Sequence, residues 1–387
     1  MRLLRLSLTD FRNYATLTWR PRARIAVLVG PNGSGKTNLL EAVSLLVPGR
    51  GLRNARNADL PRHDGAGGWA VAGRIAATDG EIDLGTGTLP DGPPERRVFR
   101  IDGVTPRSQA EIAGLLAAAW LTPQMDRLFL EPLSGRRRFL DRLVWALEPA
   151  HAREVAAHDA AMGSRNRLLA ERRDESSWLA GLEDAMARHA VAATAARMTL
   201  VARLNAVLET GITGAFPPVR IALACPIAER LAVAPALTVE DWLRSSLAGG
   251  RGRDAAAGGA ALGAHRTDLR LSDANGTPAE QASTGEQKAM LVGLVLAHAA
   301  LIAEARGFAP LLLLDEPAVH LDAIRRQALF DALLRLPAQT LITGTDPDIF
   351  APLAGRIEML RTGSGTLLPE PRFPLPEASC SPVPGAA

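Results

Sequence analysis

The chain contains little cysteine and no long uninterrupted apolar run. Its two cysteines, Cys225 and Cys380, lie far apart among 387 residues and give no disulfide framework. No uninterrupted apolar run approaches the ~20 residues that cross a bilayer. The N-terminal residues alternate as a strand does and lack a cleavable signal pattern. We therefore expect a cytoplasmic protein.

Lysine is also nearly absent. Only two of the 44 basic residues, Lys36 and Lys288, are lysine, and all the others are arginine. Such a bias leaves lysine where a planar guanidinium cannot replace a compact ammonium. Both lysines lie in or beside segments that we interpret as phosphate-binding motifs. The formal net charge is only +3, so binding of nucleic acid would need local basic patches.

Residues 30–37 form the first of these motifs. They match G-x-x-x-x-G-K-[ST] in full, between a buried strand pattern over 24–29 and an apolar helical pattern over 37–47. We predict that the loop amides and the helix N-terminus bind the phosphates of ATP, and that the Thr37 hydroxyl coordinates Mg²⁺. The predicted ATP-binding residues here are Gly30, Pro31, Asn32, Gly33, Ser34, Gly35, Lys36 and Thr37.

Two acidic residues follow a run of four leucines at 311–314. Asp315 is predicted to hold Mg²⁺, and Glu316 is predicted to be the catalytic residue that polarises the attacking water. A second segment upstream opens a long apolar helix and precedes this strand in the order of an ABC-type signature. Its residues are Ser283, Thr284, Gly285, Glu286 and Gln287. The alternative is a simple N-cap with Glu286 in the first turn. Asp322 occupies the place of a D-loop.

Together these motifs resemble an ABC-class ATPase of the SMC/Rad50/RecF group, and further segments resemble the RecF family of bacterial DNA replication and repair proteins. Those segments are LTDFRNY at 8–14, GRRRFLD at 135–141, SRNRLL at 164–169 and GAHRTDL at 263–269. The last departs from the usual family pattern at Ala264 and Thr267.

The resemblance implies an α/β fold: an ABC-type P-loop ATPase head, Rad50/SMC-like, with an antiparallel β subdomain and an inserted compact helical lobe, without a long coiled coil. We expect residues 1–134 and 259–366 to form the two parts of the head, 135–258 the helical lobe, and 367–387 a disordered Pro-rich tail. Locally, the patterns predict an antiparallel meander over 69–102, a helix over 108–121 and a mobile loop over 249–263.

The resemblance also implies a function. The signature of one protomer would complete the ATP site of another, so that ATP drives a homodimer that grips DNA at single-strand/double-strand junctions. Hydrolysis would be that of a weak, DNA-dependent ATPase used as a switch. Cooperation with RecO and RecR in loading RecA at gaps is implied as well. The alternatives are the nucleotide-binding subunit of an ABC transporter and a metabolic P-loop kinase.

Several polar residues keep two interpretations each. Arg12 would contact ATP phosphate or cap the turn beside Tyr14, and Gln124 would be a Q-loop metal ligand or part of a surface loop. His265 and Arg266 would serve the site or structure their own loop. Two arginine groups are either DNA-contacting surfaces or solvated faces. These groups are Arg136, Arg137 and Arg138, and Arg50, Arg53, Arg56 and Arg62.

Overall fold

The computed structural model describes residues 1–374 except 66, 78–79, 90–91, 94, 172–174, 212–213, 215 and 364. The described residues divide into two compact units. Unit 1 draws on the ranges 1–125, 213–215 and 302–387, and unit 2 on 126–212 and 216–301. The domain boundaries expected at 134/135 and 258/259 stay predictions.

In chain order the strands are β1 (Arg2–Phe11), β2 (Tyr14–Trp19), β3 (Ile25–Val29), β4 (Ala70–Ala77), β5 (Gly80–Thr88), β6 (Arg97–Ile101), β7 (Ala118–Leu121), β8 (Val219–Ala224), β9 (Asp268–Asp273), β10 (Leu311–Leu314), β11 (Thr340–Gly344), β12 (Glu358–Gly363) and β13 (Thr366–Pro369). The α-helices are α1 (Lys36–Ser44), α2 (Gln109–Leu115), α3 (Leu133–Leu147), α4 (His151–Glu171), α5 (Ser176–Glu209), α6 (Pro226–Leu231), α7 (Ala236–Gly249), α8 (Arg251–Ala257), α9 (Thr284–Arg306) and α10 (Ala323–Arg335). Short 3-10 turns lie at Asn57–Asp59, Pro123–Arg127, Ala264–Arg266, Ala279–Gln281 and Pro347–Leu353.

Unit 1 contains a six-stranded sheet in the order β13-β12-β3-β11-β10-β7. All neighbouring strands are parallel except β12 and β13. Every residue of β3, β7, β10 and β11 is buried. Such continuous apolar runs are typical of parallel strands that are covered on both faces. The carboxyl ends of the parallel strands therefore meet at one sheet edge.

A five-stranded antiparallel sheet in the order β2-β1-β4-β5-β6 completes unit 1. It confirms the meander expected over 69–102, and it also includes the two N-terminal strands. Its buried residues include Leu3, Leu6 and Phe11, and the Phe11 ring meets Trp69 edge-on at 5.7 Å. The hairpin dipeptide Asp79-Gly80 predicts the turn between β4 and β5, but Asp79 lies outside the described residues.

Unit 2 is mainly helical, with helices α3 to α8, most of α9 and the antiparallel pair β8–β9. Its core lies between α5, α6 and α7 and includes Met186, Ala190, Leu243 and Leu247. In the part of the chain that is described, no long coiled coil extends from it, as expected. The predicted fold class, an α/β ATPase head with an antiparallel subdomain and a compact helical lobe, is thereby confirmed.

Two helices, α5 and α9, are long and apolar enough to cross a membrane by length and composition alone. The core helix of a soluble protein passes the same test, so this is weak evidence. Most residues of α9 are buried in the structure, and a helix that is apolar on all faces is typical of a core position.

Three local predictions are wrong. The helix expected over 108–121 ends at Leu115, because 118–121 pair with β10 as strand β7, and this pairing outweighs the helix propensity of alanine. The loop expected over 249–263 contains helix α8. Residues 367–369 of the expected tail belong to β13, which pairs with β12. Residues 375–387 of that tail lie outside the described part of the chain.

Candidate nucleotide site

The two phosphate motifs of unit 1 meet at the carboxyl edge of the parallel sheet. Strand β3 leads into the glycine-rich loop 30–37, and β10 leads into Asp315 and Glu316. Strand β11 lies between β3 and β10 and pairs with both. Segments distant in the chain thus converge because parallel strands end on the same side.

Hydrogen bonds join these segments directly. The Thr37 hydroxyl donates to Asp315 Oδ1 over 2.9 Å, and the Thr343 hydroxyl at the end of β11 donates to the same oxygen over 2.7 Å. The backbone N–H of Glu316 donates in turn to the Thr343 hydroxyl over 2.9 Å. Asp315 is only 3% exposed. The predicted magnesium residues Thr37 and Asp315 therefore lie in direct contact.

Thr343 is a site residue that our sequence analysis did not select. It ties the carboxylate of Asp315 to the backbone of Glu316, although it belongs to neither motif. The available signal was its position: a polar residue that ends a buried strand and precedes Gly344.

Glycines shape the phosphate loop. Gly30, Gly33 and Gly35 all have positive φ angles, which residues with a side chain rarely adopt. At Gly35 a Cβ atom would lie only 2.4 Å from the Asn13 side chain. The Tyr14 hydroxyl donates to the Gly35 carbonyl over 3.0 Å, and burial raises the pKa of Tyr14. The loop conformation therefore depends on glycine and on the turn between β1 and β2.

Lys36 folds along the inside of this loop. Its ammonium donates to the carbonyl oxygens of Gly30 and Pro31 over 2.7 and 3.0 Å, and only 4% of the residue is exposed. Burial lowers the pKa of Lys36, while the charges of Glu316 and Asp315 oppose that shift. The lysine thus holds a positive charge beside the carboxylates at the sheet edge.

Arg12 contacts the helix that follows the loop. Its guanidinium donates to both carboxylate oxygens of Glu41 over 2.8 and 2.9 Å, and Arg53 donates to the same carboxylate over 3.2 Å. Glu41 is fully buried on α1. Arg12 therefore anchors α1, and its contact with ATP phosphate stays a prediction. Arg62 pairs with Asp10, so two of the four arginines between 50 and 62 have carboxylate partners.

Glu316 has a left-handed backbone with φ 50°. Because β-carbon crowding makes this region uncommon for residues other than glycine, asparagine and aspartate, its conformation is strained. The residue is partly exposed at the sheet edge, directly after Asp315. This position agrees with the predicted catalytic role without testing it.

The predicted signature lies in unit 2, where it caps α9. The Ser283 hydroxyl accepts from the backbone N–H of Glu286 over 3.4 Å, and the Glu286 carboxylate accepts from the backbone N–H of Ser283 over 2.9 Å. This reciprocal pair is a capping box. The N-cap interpretation therefore describes the geometry, and the role of 283–287 in a partner's ATP site stays a prediction.

Lys288 is buried inside unit 2. Its ammonium lies 3.1 Å from Asp126 Oδ2, and the residue is 2% exposed. Asp126 therefore holds the ammonium of Lys288, and a phosphate role for the segment beside this lysine stays a prediction.

The other predicted site residues occupy turns. Asp322 is the N-cap of α10, where its carboxylate accepts from the backbone N–H of Arg325 over 2.8 Å. Gln124 is exposed in the 3-10 turn just after β7, at the same sheet edge as Asp315. The D-loop role of Asp322 and the metal role of Gln124 stay predictions.

The family-like segments of unit 2 form buried ion pairs. Arg165, fully buried, donates to Glu183 and Asp254 over 3.0 and 2.8 Å. Arg197 donates to both oxygens of Asp141 over 2.7 and 3.0 Å. These arginines cross-link the helices of the unit.

The arginine run at 136–138 is only partly a solvated face. Arg136 pairs with Asp268 over 2.6 Å, Arg137 donates to the His265 carbonyl, and Arg138 is exposed. Arg136 therefore fits neither of the two interpretations of the run, which were a DNA-contacting surface and a solvated face. Its charge is committed within unit 2.

Comparison with known proteins gives one consistent result. The family model described as RecF/RecN/SMC N terminal domain matches residues 2–361. The chain is 47% identical over 368 residues to the DNA replication and repair protein RecF of Mesorhizobium japonicum, covering 94% of this chain and 97% of that protein. It is 46% identical over 365 residues to the protein of the same name from Rhizobium meliloti, with 94% and 97% covered.

Solved structures agree on the fold. A structure of the recombination mediator protein RecF with ATP, from the RecFOR pathway, matches with a TM-score of 0.82 and 21% identity, covering 95% of this chain and 99% of that one. An Smc head domain from Pyrococcus furiosus matches with a TM-score of 0.52 and 15% identity, covering 95% and 96%. At these identities the likeness establishes the fold alone.

Proposed function

Since this chain belongs to the RecF family of DNA replication and repair proteins, we propose that it acts in DNA repair as an ATP-controlled DNA-binding protein. The observation that carries this proposal is the contact between the two phosphate motifs, in which Thr37 and Thr343 both donate to Asp315. The transporter alternative is set aside, because the relatives that cover 94% of the chain are DNA repair proteins.

The nucleotide is proposed to be ATP, bound by loop 30–37. The loop glycines leave backbone amides free to approach phosphate oxygens, and the N-terminus of α1 adds a favourable dipole. Lys36 would exchange its two carbonyl partners for phosphate oxygens. A relative of the same fold has been solved with ATP, which supports the choice of nucleotide.

The donor set at Thr37 and Asp315 fits Mg²⁺, because one hydroxyl and one carboxylate oxygen meet there within 2.9 Å. A bound Mg²⁺ would neutralise charge on the phosphates. Thr343 keeps Asp315 oriented, and Glu316 would position the attacking water. Hydrolysis is proposed to be slow and DNA-dependent, as in a switch.

The signature residues 283–287 are proposed to act on the ATP of a second copy. A phosphate loop covers one side of a triphosphate, and the N-terminus of α9 offers amides and a positive dipole end to the other. ATP would then drive a homodimer on duplex DNA or on single-strand/double-strand junctions. Cooperation with RecO and RecR in loading RecA, and a cytoplasmic location, belong to the same proposal.

One experiment tests the core of this proposal. Light scattering would follow the mass of the full chain with ATP and Mg²⁺, and Ser283→Arg would be compared with the wild type. We expect the wild type to dimerise with ATP, whereas the variant binds a fluorescent ATP analogue normally and stays monomeric. A wild type that remains monomeric with ATP, Mg²⁺ and DNA would overturn the dimer. A variant that has lost ATP affinity would place the signature in its own protomer's site.

A second measurement tests the DNA partner. Equilibrium binding to gapped, duplex and single-stranded DNA would be measured across a salt series, with and without ATP. Because phosphate contacts release counterions, the logarithm of the affinity should fall linearly with the logarithm of the salt concentration. Binding that ignores both ATP and salt would contradict an ATP-controlled clamp.

A further inference from the structure

Two histidine rings of unit 2 face each other away from the nucleotide residues. His158 lies on α4, and His265 lies in the 3-10 turn Ala264–Arg266. Their ring centroids are 5.6 Å apart and the ring planes differ by 27°. His265 belongs to the segment 263–269 that the sequence analysis singled out, and the proposed function gives it no role.

The hydrogen bonds of the two rings assign their protons. His158 Nδ1 lies 3.1 Å from Asp159 Oδ1, and His265 Nε2 lies 2.9 Å from the Ala260 carbonyl. A carboxylate and a carbonyl only accept, so each of these ring nitrogens carries the hydrogen. In these tautomers the opposite nitrogens, His158 Nε2 and His265 Nδ1, are the acceptors.

Those two nitrogens lie close to one point beside Gly263. Within the described part of the chain, His158 Nε2 and His265 Nδ1 are buried and have no hydrogen-bond partner. A Cβ atom at Gly263 would lie 2.8 Å from each of them. Gly263, with φ 145°, has no side chain to occupy this point. His158 is 1% exposed, and His265 is partly buried.

We propose that His158 Nε2 and His265 Nδ1 bind one late first-row transition-metal ion, of the zinc or copper class. Histidines that ligate metals usually donate their other ring nitrogen to a carboxylate or a carbonyl, as both do here. With a metal–nitrogen bond of about 2.0–2.1 Å, two rings on one ion have centres roughly 5–6 Å apart, which agrees with the spacing seen.

Charged side chains surround the two rings, and the ring nitrogens themselves determine which ions fit. Arg137 donates to the His265 carbonyl and Arg266 to the Ala260 carbonyl, so two cations lie near the rings, and Asp159 offsets one of them. In the described ranges no group of three or more His, Cys, Asp or Glu side chains could hold a metal, so water completes the shell. Two imidazoles select Cu²⁺ and Zn²⁺ over Mg²⁺ and Ca²⁺, so the proposed magnesium at the nucleotide site does not compete.

Copper electron paramagnetic resonance on the chelator-treated full chain tests the site. One equivalent of Cu²⁺ should give a signal split by two nitrogen nuclei. Either His158→Gln or His265→Gln should weaken binding about tenfold or more, and competition with a chromophoric chelator should give the same order for Zn²⁺. His189→Gln is the matched control, because its ring pairs with Glu154 on the surface of the same unit.

A third variant tests the space and not the ligands. Gly263→Ala keeps both histidines and places a methyl group between their nitrogens, so it should abolish copper binding. Circular dichroism and ATP binding would verify folding. Wild-type protein with no nitrogen splitting would overturn the proposal and leave a buried water as the occupant. Equal affinity of the wild type and His158→Gln would overturn it too, and neither result depends on the proposed ATP function.

Discussion

The charges at the candidate nucleotide site of unit 1 and the buried arginines of unit 2 are held in opposite ways. In unit 1, Lys36 donates to carbonyl oxygens and Asp315 accepts from threonine hydroxyls, so both charges are held by neutral groups. In unit 2, Arg165 and Arg197 are held by carboxylates. A charged side chain that is held by neutral dipoles can exchange those partners for a charged ligand. A charged side chain that is buried against an opposite charge cannot leave its partner without a large energetic cost, so it serves the fold. The difference separates candidate site residues from structural ones.

The largest expected effect is on the stability of unit 2. Arg165→Met leaves Asp254 buried without its cation and leaves Glu183 with Arg251 alone, which should cost about 3–5 kcal/mol of unfolding free energy. Urea denaturation followed by circular dichroism would measure it. Arg188→Met is the control, because Arg188 is 57% exposed on α5 and its pair with Asp184 should contribute roughly 0–1 kcal/mol. Equal midpoints for the two variants would break the comparison.

The complementary variant in unit 1 should separate function from stability. Asp315→Asn removes a buried charge that only hydroxyls hold, so we expect ATP hydrolysis to fall about 100-fold or more while the urea midpoint stays level or rises. Steady-state phosphate release and urea denaturation would be measured on the same sample. Asp331→Asn on α10 serves as the control for loss of one carboxylate. A large loss of stability in Asp315→Asn would make this carboxylate structural.

Acid should weaken unit 2 through its neutral histidines. Burial lowers the pKa values of His265 and His298 to about 4, below the ordinary value of 6.5. Between those two values the unfolded chain binds more protons than the folded one, so stability is complete above pH 6.5 and falls as the pH drops toward 4. Urea midpoints at pH 7 and pH 5 would record the fall. His298→Gln should reduce this pH dependence. If the urea midpoint of the variant falls with pH as steeply as that of the wild type, His298 does not contribute to the acid sensitivity.

The smallest stability effect is expected at the start of α9. Ser283→Ala removes half of a capping box and should cost about 1 kcal/mol. If the signature acts on a partner's ATP, the same change should also weaken ATP-dependent dimers, which sedimentation would detect. Thr199→Ala, on the exposed side of α5, is a matched hydroxyl control. If stability falls but ATP-dependent dimers are unchanged, Ser283 acts only as the N-cap of α9.

The contact between Thr37 and Asp315 could be predicted from the sequence, because each residue belongs to a recognisable motif that follows a buried strand. The sequence was not sufficient for Thr343, since that contact depends on β11 lying between β3 and β10. The pair between Lys288 and Asp126 was not predicted for a related reason: the two residues are 162 positions apart. Contacts set by motif spacing could be predicted, and contacts set by strand order or helix packing could not.

Strand β7 and helix α8 illustrate the same limit at the level of local structure. An alanine-rich stretch over 117–119 favours a helix by propensity, yet it becomes an edge strand because β10 offers a parallel partner. The glycines at 249–252 suggest a loop, yet Asp254 inside α8 is buried against Arg165. Tertiary partners decided both outcomes.

Tyr14 is the only tyrosine in the chain, and its hydroxyl is bonded to the carbonyl of Gly35. Biosynthetic fluorotyrosine would therefore introduce a single ¹⁹F nucleus, located against the phosphate loop and nowhere else. Its resonance would report on that loop in solution with no background from the remainder of the molecule. Binding of an unlabelled nucleotide to the loop could therefore be followed in real time.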